Sequence, residues 1–596
     1  MTEREKRYLG GAQGAVLLVL IVAIAYIPAL DAGFVWDDDS YILNNPHLRS
    51  VEGLRAIWLE PGATTQYYPL VHTMFWVEYH LWGLQPFGYH LVNILLHGAG
   101  AATLFLLLRR LGVPGAWFAA ALFALHPVHV ESVAWVTERK NVLSGLFYFL
   151  SLSAFFRFAP PGGTETGRRR FYLLALLLFL FALLSKTVTA TLPAAVLLLV
   201  WWKGGSIRRR DWAAMAPFLL VGIAAGLHTA RIERDVLGAE GEAFALSLAS
   251  RFLIAGKAFW FYLGKLAWPA KLTFIYPRWD VEGAGAGAFL FPAGALLLIA
   301  LLWGARRRAG RGPLAALLFF GGTLLPALGF VNVYPFRFSF VADHFQHLAS
   351  IGPIVLFAAV LARLLGRGRG ARARAGRIAA LLLLFLLAAL TWRQCHVYSD
   401  LETLWRDTIE KNPGAWMARV NLGQLLSSEG RTEEAIEQYR EALRIRPEYD
   451  KAHNNLGLAL QARGDRDGAI EHFREALRIN PRSVSALSNL GLALLAEGET
   501  EEAIDRFMDA LTIRPVAPEL HTNLAVALAR VGRMDEAVLV LRQALRLAPT
   551  DPETHFRLGV LLMQMERKEE AARSFEETLR LDPDHPSARG ALRALE

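Results

Sequence analysis

Residues 447–480 read "PEYDKAHNNLGLALQARGDRDGAIEHFREALRIN", and the key positions in this stretch recur at a fixed interval. Pro413, Pro447, Pro481, Pro515, Pro549 and Pro583 are each 34 residues apart. Gly423, Gly457, Gly491 and Gly559 keep the same interval, with Ala525 in the remaining slot. So do Ala435, Ala469, Ala503, Ala537 and Ala571, each followed four residues later by Tyr439, Phe473, Phe507, Leu541 or Phe575. Small residues at fixed positions let two antiparallel helices cross closely, an aromatic ring fills the space beside them, and proline closes the unit. One such unit cannot bury its apolar face alone, so the units must stack.

This spacing is similar to the tetratricopeptide repeat. Five units run from Pro413 to Pro583, and "HPSARGALRAL" at 585–595 reads as a capping helix, so the expectation is a right-handed α-solenoid. A second ladder runs through it. Asn421, Asn455, Asn489 and Asn523 precede the Leu-Gly or Leu-Ala step of the first helix of each unit, until Arg557 breaks the series. A side-chain amide donates and accepts at once, which suits gripping a peptide backbone without reading its sequence.

Ahead of the repeats the composition changes. The 596 residues are 54% hydrophobic and 20% charged, and the apolar runs lie almost entirely before residue 395. The expected domains are therefore 1–395, a polytopic membrane helix bundle, and 396–596, the solenoid, in an all-α chain. A span takes roughly 20 apolar residues, and about eleven are expected, near 12–30, 89–108, 113–128, 142–158, 171–185, 188–202, 212–229, 287–304, 313–329, 349–365 and 378–393. The segment 251–272 carries Arg251, Lys257, Lys265 and Lys271 among aromatics and reads as a helix in the interface or re-entering it.

The net charge of +9 gathers in arginine clusters at 109–110, 167–170, 207–210, 306–311 and 366–377. Each lies between apolar runs, which marks cytoplasmic loops and not a nucleic-acid surface. The N-terminus then lies in the cytoplasm, the first apolar run is a span and not a cleaved signal peptide, and the solenoid is extracytoplasmic, in the periplasm of a bacterial inner-membrane protein. Cys395 is the only cysteine, which excludes an intramolecular disulfide and a cysteine-based zinc site. "GAGAGAF" at 283–289 lacks the flanking strand and Lys-Ser/Thr of a phosphate loop.

On that topology the unusual polar residues share the outer face. The first loop carries Asp37, Asp38 and Asp39 in "GFVWDDDSYILNNP", a costly run of like charges. The second is "HPVHVESVAWVTERKN", with His126, His129, Glu131, Glu138, Arg139, Lys140 and Asn141; the last is "YPFRFSFVADHFQHLASIG", with Arg337, Asp343, His344 and His347. A carboxylate there can take a proton from a hydroxyl, while Arg and Lys can hold a phosphate. The set suits a reaction between a lipid-linked phosphate donor and an exported acceptor. His126, His129 and Glu131 have a spacing that also admits a metal.

These motifs, in this order and followed by the repeats, resemble the transmembrane and tetratricopeptide-repeat O-mannosyltransferases and their bacterial relatives, in the C-type glycosyltransferase superfamily. The resemblance implies a polyprenyl-phosphate-linked sugar as donor, an exported polypeptide as acceptor, and a base at Asp37 or Asp38, with Asp39 an extra acid. His126, His129, Glu131 and Arg139 match its second motif and would organise the donor phosphate. Lys186, in "LSKTVTATLP", matches in part, since Thr187 stands where those enzymes have Glu; "ADHFQHLAS" departs from their ER-x-LYLPS form at Asp343 and His344.

The resulting expectation is an inverting membrane glycosyltransferase in which Arg139, Lys140, Lys186 and Arg337 stabilise the leaving phosphate. No cofactor is required, although a divalent cation fits; membrane lipid is a partner and nucleic acid is not. The rival is a non-catalytic membrane-anchored scaffold for envelope proteins, which has no use for eleven spans. A transporter would place its charges within spans.

Overall fold

In the computed structural model, residues 3–161, 163, 167–236, 238, 241, 244–283, 285–367 and 371–595 are described. Part of the basic loop at 366–377 and of the glycine-rich lead at 283–289, together with the side chains of the basic N-terminus, lies outside them. Every regular element among the described residues is a helix. The chain divides into two compact units, Met1–Ala415 and Trp416–Glu596.

The first unit contains α1 (Glu3–Ala25), α2 (Val51–Leu59), α3 (Pro69–Trp82), α4 (Pro86–Arg110), α5 (Ala116–Leu125), α6 (Val130–Ala134), α7 (Arg139–Phe158) and α8 (Arg169–Leu183). It continues with α9 (Leu192–Gly204), α10 (Arg209–Asp235), α11 (Leu248–Ala267), α12 (Leu290–Ala305), α13 (Gly312–Leu324), α14 (Ile351–Arg367), α15 (Ala371–Cys395) and α16 (Leu401–Lys411). A helix lies in each of the eleven expected segments. Among the described residues, six helical stretches are long and apolar enough to cross a membrane, or seven if the pair Ala116–Leu125 and Pro127–Ala134, bent by 55°, counts as one. Gly10–Ala25, Gly312–Ala327 and Ile351–Leu365 are shorter apolar helices.

The segment expected at an interface is α11, and it buries Ala258, Phe259 and Tyr262 against Phe320 and Leu324 of α13. The expected division after residue 395 moves downstream for a similar reason. Residues 396–415 pack within the first unit: Lys411 Nζ donates to the Leu272 carbonyl at 2.8 Å, and Asn412 Nδ2 to that of Ile275 at 3.1 Å. Trp405 is fully enclosed, edge-on to Phe274 and Trp36. Sequence marked the end of the apolar runs, whereas packing follows the aromatic that buries.

The loop after α1 and helices α2 and α3 form a cap with a core of their own. Tyr41, Ile42, Leu48, Ile57, Tyr68, Val71 and Phe75 pack with Tyr89 of α4, Val136 and Leu143 of α7. This core holds the acidic loop against the start of α7.

The second unit is a stack of five helix pairs and a final helix: α17 (Trp416–Ser428) with α18 (Thr432–Ile445), α19 (Asp450–Arg463) with α20 (Arg466–Ile479), and α21 (Val484–Glu497) with α22 (Thr500–Ile513). Then come α23 (Pro518–Arg530) with α24 (Met534–Leu547), α25 (Pro552–Gln564) with α26 (Lys568–Leu581), and α27 (Ala588–Arg593). The 34-residue interval has a steric cause. A Cβ built on Gly457 would lie 2.6 Å from the Phe473 ring, and one on Gly491 2.7 Å from Phe507. Where the glycine slot holds Ala525, the ring is replaced by Leu541, and both are buried. Small residue and ring are one decision.

That coupling is testable. Gly491→Ala is expected to destabilise the α21–α22 pair by about 1–3 kcal/mol through overpacking, and Phe507→Leu to destabilise it by leaving a void. The two together should cost less than their sum, read as hydrogen-exchange protection of residues 484–513. Additivity would refute the coupling.

Candidate active site

The acidic run turns on Trp36, whose φ of +50° is in the left-handed region that non-glycine residues avoid. The turn sends successive carboxylates to different places. Asp38 is fully buried: Oδ2 accepts from Val35 N at 2.9 Å, and Oδ1 accepts from Thr137 N at 2.7 Å and from the Thr137 hydroxyl. Burial pushes its pKa up to about 7 against the pull of those donors. With both oxygens engaged, Asp38 ties the first loop to Thr137, in the turn just before α7. Asp39 is exposed and accepts from Asn44 Nδ2 at 2.5 Å, closing a π-helical turn over Asp39–Leu43.

Asp37 differs from both. It is half-buried, and among the described residues its carboxylate accepts no hydrogen bond; only its backbone carbonyl is used, by Ser40 and Tyr41. Burial raises its pKa to about 6; Lys140 and His344 pull it down and Glu138 pushes it up. One acid of the three is chemically free.

The charges around it are built on Glu138, which the sequence places in the outer-face set without a role of its own. Its buried carboxylate holds Lys140 Nζ on Oε1 at 3.0 Å and Lys186 Nζ on Oε2 at 3.0 Å, and accepts from Asn141 Nδ2 at 2.6 Å. Lys140 also lies 5.3 Å from the centre of the Tyr41 ring and 3.4 Å from Gln66 Oε1. Gln66 accepts from Tyr41 Oη at 2.8 Å and donates to Glu233 Oε1 at 3.1 Å. Gln66 was visible only as part of "TTQYYPL", and Glu233 gave no signal, being the end of a long apolar helix.

The remaining expected residues divide. Glu131 Oε2 accepts from His344 N at 2.9 Å, and Oε1 lies 3.1 Å from His344 Nδ1, so the second and last loops are brought together as expected. Asp343 instead faces Tyr276, whose hydroxyl is 3.0 Å from each carboxylate oxygen, and burial beside Glu131 raises its pKa well above the usual range. His126 is a structural contact: Val128 N donates to Nδ1 at 3.4 Å, which leaves Nε2–H to donate to the Leu266 carbonyl at 3.0 Å. His129 is buried among His97, Phe123 and His347, with ring centres 4.6 to 5.8 Å away. Among the described residues no three His, Cys, Asp or Glu side chains converge on a possible metal position. Arg337 is half-buried in the last loop, and among the described residues its side chain has no hydrogen bond or ion pair.

Arg139 corrects the expectation. It is fully buried beneath the cap, with Nε on Asn93 Oδ1 at 2.7 Å, Nη2 on the Tyr89 carbonyl at 2.8 Å, Nη1 on Glu78, and its guanidinium 4.6 Å from the Phe75 ring. Its donors are consumed by the fold, and no phosphate can reach them.

In the second unit the asparagines all lie half-buried on the first helix of their pairs. Asn489 Nδ2 donates to Asn454 Oδ1 at 2.9 Å, Asn421 Nδ2 lies 2.7 Å from Met417 Sδ, and Asn455 Nδ2 has no partner. Asn523 has none among the described residues, while Arg557 turns to Glu553 at 2.8 Å. Leu458 and Leu492 stay exposed three residues beyond Asn455 and Asn489. Amides and exposed leucines thus alternate along the unit.

This chain is similar to protein O-mannosyl-transferases. Protein O-mannosyl-transferase TMTC1 of Homo sapiens is 27% identical over 502 residues, 74% of this chain and 56% of that protein. Protein O-mannosyl-transferase tmtc2 of Xenopus laevis is 34% identical over 151 residues, 24% of this chain and 18% of that protein. The chain thus spans about half the length of the human relative and less of the frog one. Residues 393–595 match the family model of the Cilia and flagella-associated protein 70 C-terminal domain. Among solved structures, YrrB, a TPR protein with an unusual peptide-binding site, is 23% identical with a TM-score of 0.29, covering 32% of this chain and 97% of that one.

If Arg139 supports the fold, Arg139→Ala should leave Glu78 as a buried unpaired charge and cost about 3–5 kcal/mol. The double change Arg139→Met with Glu78→Gln should recover much of that loss. Thermal unfolding in detergent measures both; unchanged stability with weakened donor binding would return Arg139 to the phosphate.

Proposed function

We propose that the chain is an integral membrane glycosyltransferase that moves a sugar, mannose by analogy with its relatives, from a polyprenyl-phosphate donor to a hydroxyl of an exported polypeptide. The observation that carries this reading is one unengaged carboxylate, Asp37, beside Lys140, which shares Glu138 with Lys186. In the reaction Asp37 takes the proton of the acceptor hydroxyl as its oxygen attacks the anomeric carbon. The bond from that carbon to the phosphate oxygen breaks with its electron pair, and polyprenyl phosphate leaves with inversion. Glu138 neutralises one of the two lysine charges, so Lys140 and Lys186 keep one positive charge for the departing phosphate. His344, whose charge also acts on Asp37 and Glu138, is a further donor.

Asp38 serves as the positioning residue, since its bonds to Val35 and Thr137 fix where Asp37 stands. The amides and leucines of the second unit would grip the polypeptide, main chain on the amides and apolar side chains on Leu458 and Leu492. On this reading the acid loop and the solenoid are extracytoplasmic, and the bundle lies in a bacterial inner membrane.

The test is transfer from a labelled polyprenyl-phosphate sugar in membranes. Asp37→Asn should lower the rate about 10²–10⁴-fold, the usual worth of a general base. Asp38→Asn should lose activity together with folded protein, because one backbone donor is orphaned. A base must be unprotonated, so the wild-type rate should rise with pH through about 6 and level off above it. Full activity in Asp37→Asn sinks the assignment, and no transfer by wild type from any lipid donor would favour a scaffold.

A further inference from the structure

The opposite ends of the same helices enclose a second cavity, unrelated to the acid site. It has a volume of about 480 Å³ and lies among α4, the turn that follows it, α7, α9, α13 and α14. Leu104, Leu152, Phe319 and Val355 represent its wall, and among the described residues its only charged lining groups are Arg311 and Arg363. The helices reach this cavity with their far ends: α9 arrives by Trp202 and α14 by Arg363, whereas α9 begins just after Lys186 and α14 just after His347.

The mouth has three features that favour an anion over a hydrocarbon tail. Arg311 is the N-cap residue of the 13-residue helix α13, whose first turn leaves the N–H groups of Gly312 and Leu314 without intrahelical acceptors. Arg311 spends one weak hydrogen bond, 3.4 Å, on the Trp201 carbonyl. Around it is a belt of indoles: Trp201 and Trp303 stack with centres 6.1 Å apart, and Lys203 Nζ is 4.2 Å from the centre of the Trp202 ring. Tryptophan beside Lys and Arg at helix ends marks the headgroup level of a bilayer.

We propose that this cavity binds an anionic glycerophospholipid of the leaflet opposite the acid site, one acyl chain inside and the phosphate against Arg311, Arg363 and the start of α13. The volume falls in the range of single small-ligand pockets, roughly 300–1,000 Å³, which suits one acyl chain and not a polyprenyl carrier. The inference rests on the reading of the first unit as a bilayer-spanning bundle, and it is independent of sugar transfer.

The experiment is native mass spectrometry of the full-length protein in mild detergent, titrated with dioleoyl phosphatidylglycerol, with thermal unfolding as the check on folding. The wild type should hold one lipid. The double variant Arg311→Gln/Arg363→Gln should bind it at least tenfold more weakly, and Ala359→Trp, which fills the cavity and keeps both arginines, should lose it as well. Equal retention by the folded double variant overturns the proposal. So does equal binding of dioleoyl phosphatidylcholine, or displacement by polyprenyl phosphate. Fractionation of the chain as a soluble protein without detergent would overturn it through the bundle reading instead, which separates the two failures.

Discussion

The candidate site depends on the need of one buried carboxylate for donors. Asp38 sits where water cannot reach it, and a buried carboxylate without partners is too costly to keep. Its solution is to accept from its own loop at Val35 and from Thr137, ninety-nine residues away. Those bonds fasten the first loop to the start of α7, and they hold Trp36 in its left-handed conformation. Once Asp38 is fixed inward, its neighbour Asp37 has to face the other way. That is why adjacent acids, identical in sequence, end in opposite situations: one spent on structure, one left free.

The same logic governs the cations. Arg139 and Lys140 are consecutive on a helix, so their side chains leave it about 100° apart, as 3.6 residues per turn requires. One enters the apolar cap and is absorbed by Glu78, Asn93 and Tyr89; the other reaches Glu138. Arginine suits the first role, because its several fixed donors can satisfy three acceptors in a dry core. Lysine suits the second, a compact charge on a flexible stem that can share one carboxylate with a neighbouring lysine.

How much of this was legible in the sequence follows from the range of each signal. The solenoid was readable because its pattern is local and repeats, so Gly457 with Phe473 and Ala525 with Leu541 announce the crossing they make. The helices of the first unit were readable from their apolar runs. The site was legible only in its motifs. Lys140 and Lys186 meet on Glu138, Lys140 acts on Asp37, and Glu131 meets His344, but spacing does not say which side of a helix faces the core. Hence Arg139 and His126 were placed at the phosphate, while Glu138, named with them on the outer face, was given no role. Gln66 and Glu233, joined across 167 residues, had no sequence signal to join them.

The charge arithmetic of the site also bears on the order of events in the proposed reaction. At rest the two lysines share Glu138, and Lys140 also faces a largely ionised Asp37, a balance that leaves little net charge to be buried. A phosphate-linked donor adds negative charge beside the lysines and so weakens their hold on the Asp37 anion. Asp37 then becomes a stronger base than it was in the empty site, at the moment a hydroxyl needs one. The reverse order offers no such gain, because a neutral acceptor leaves the lysines facing Asp37 unchanged. A site in which the base shares its counter-ions with the leaving group therefore favours donor before acceptor. It restrains proton abstraction until the anomeric carbon is in place.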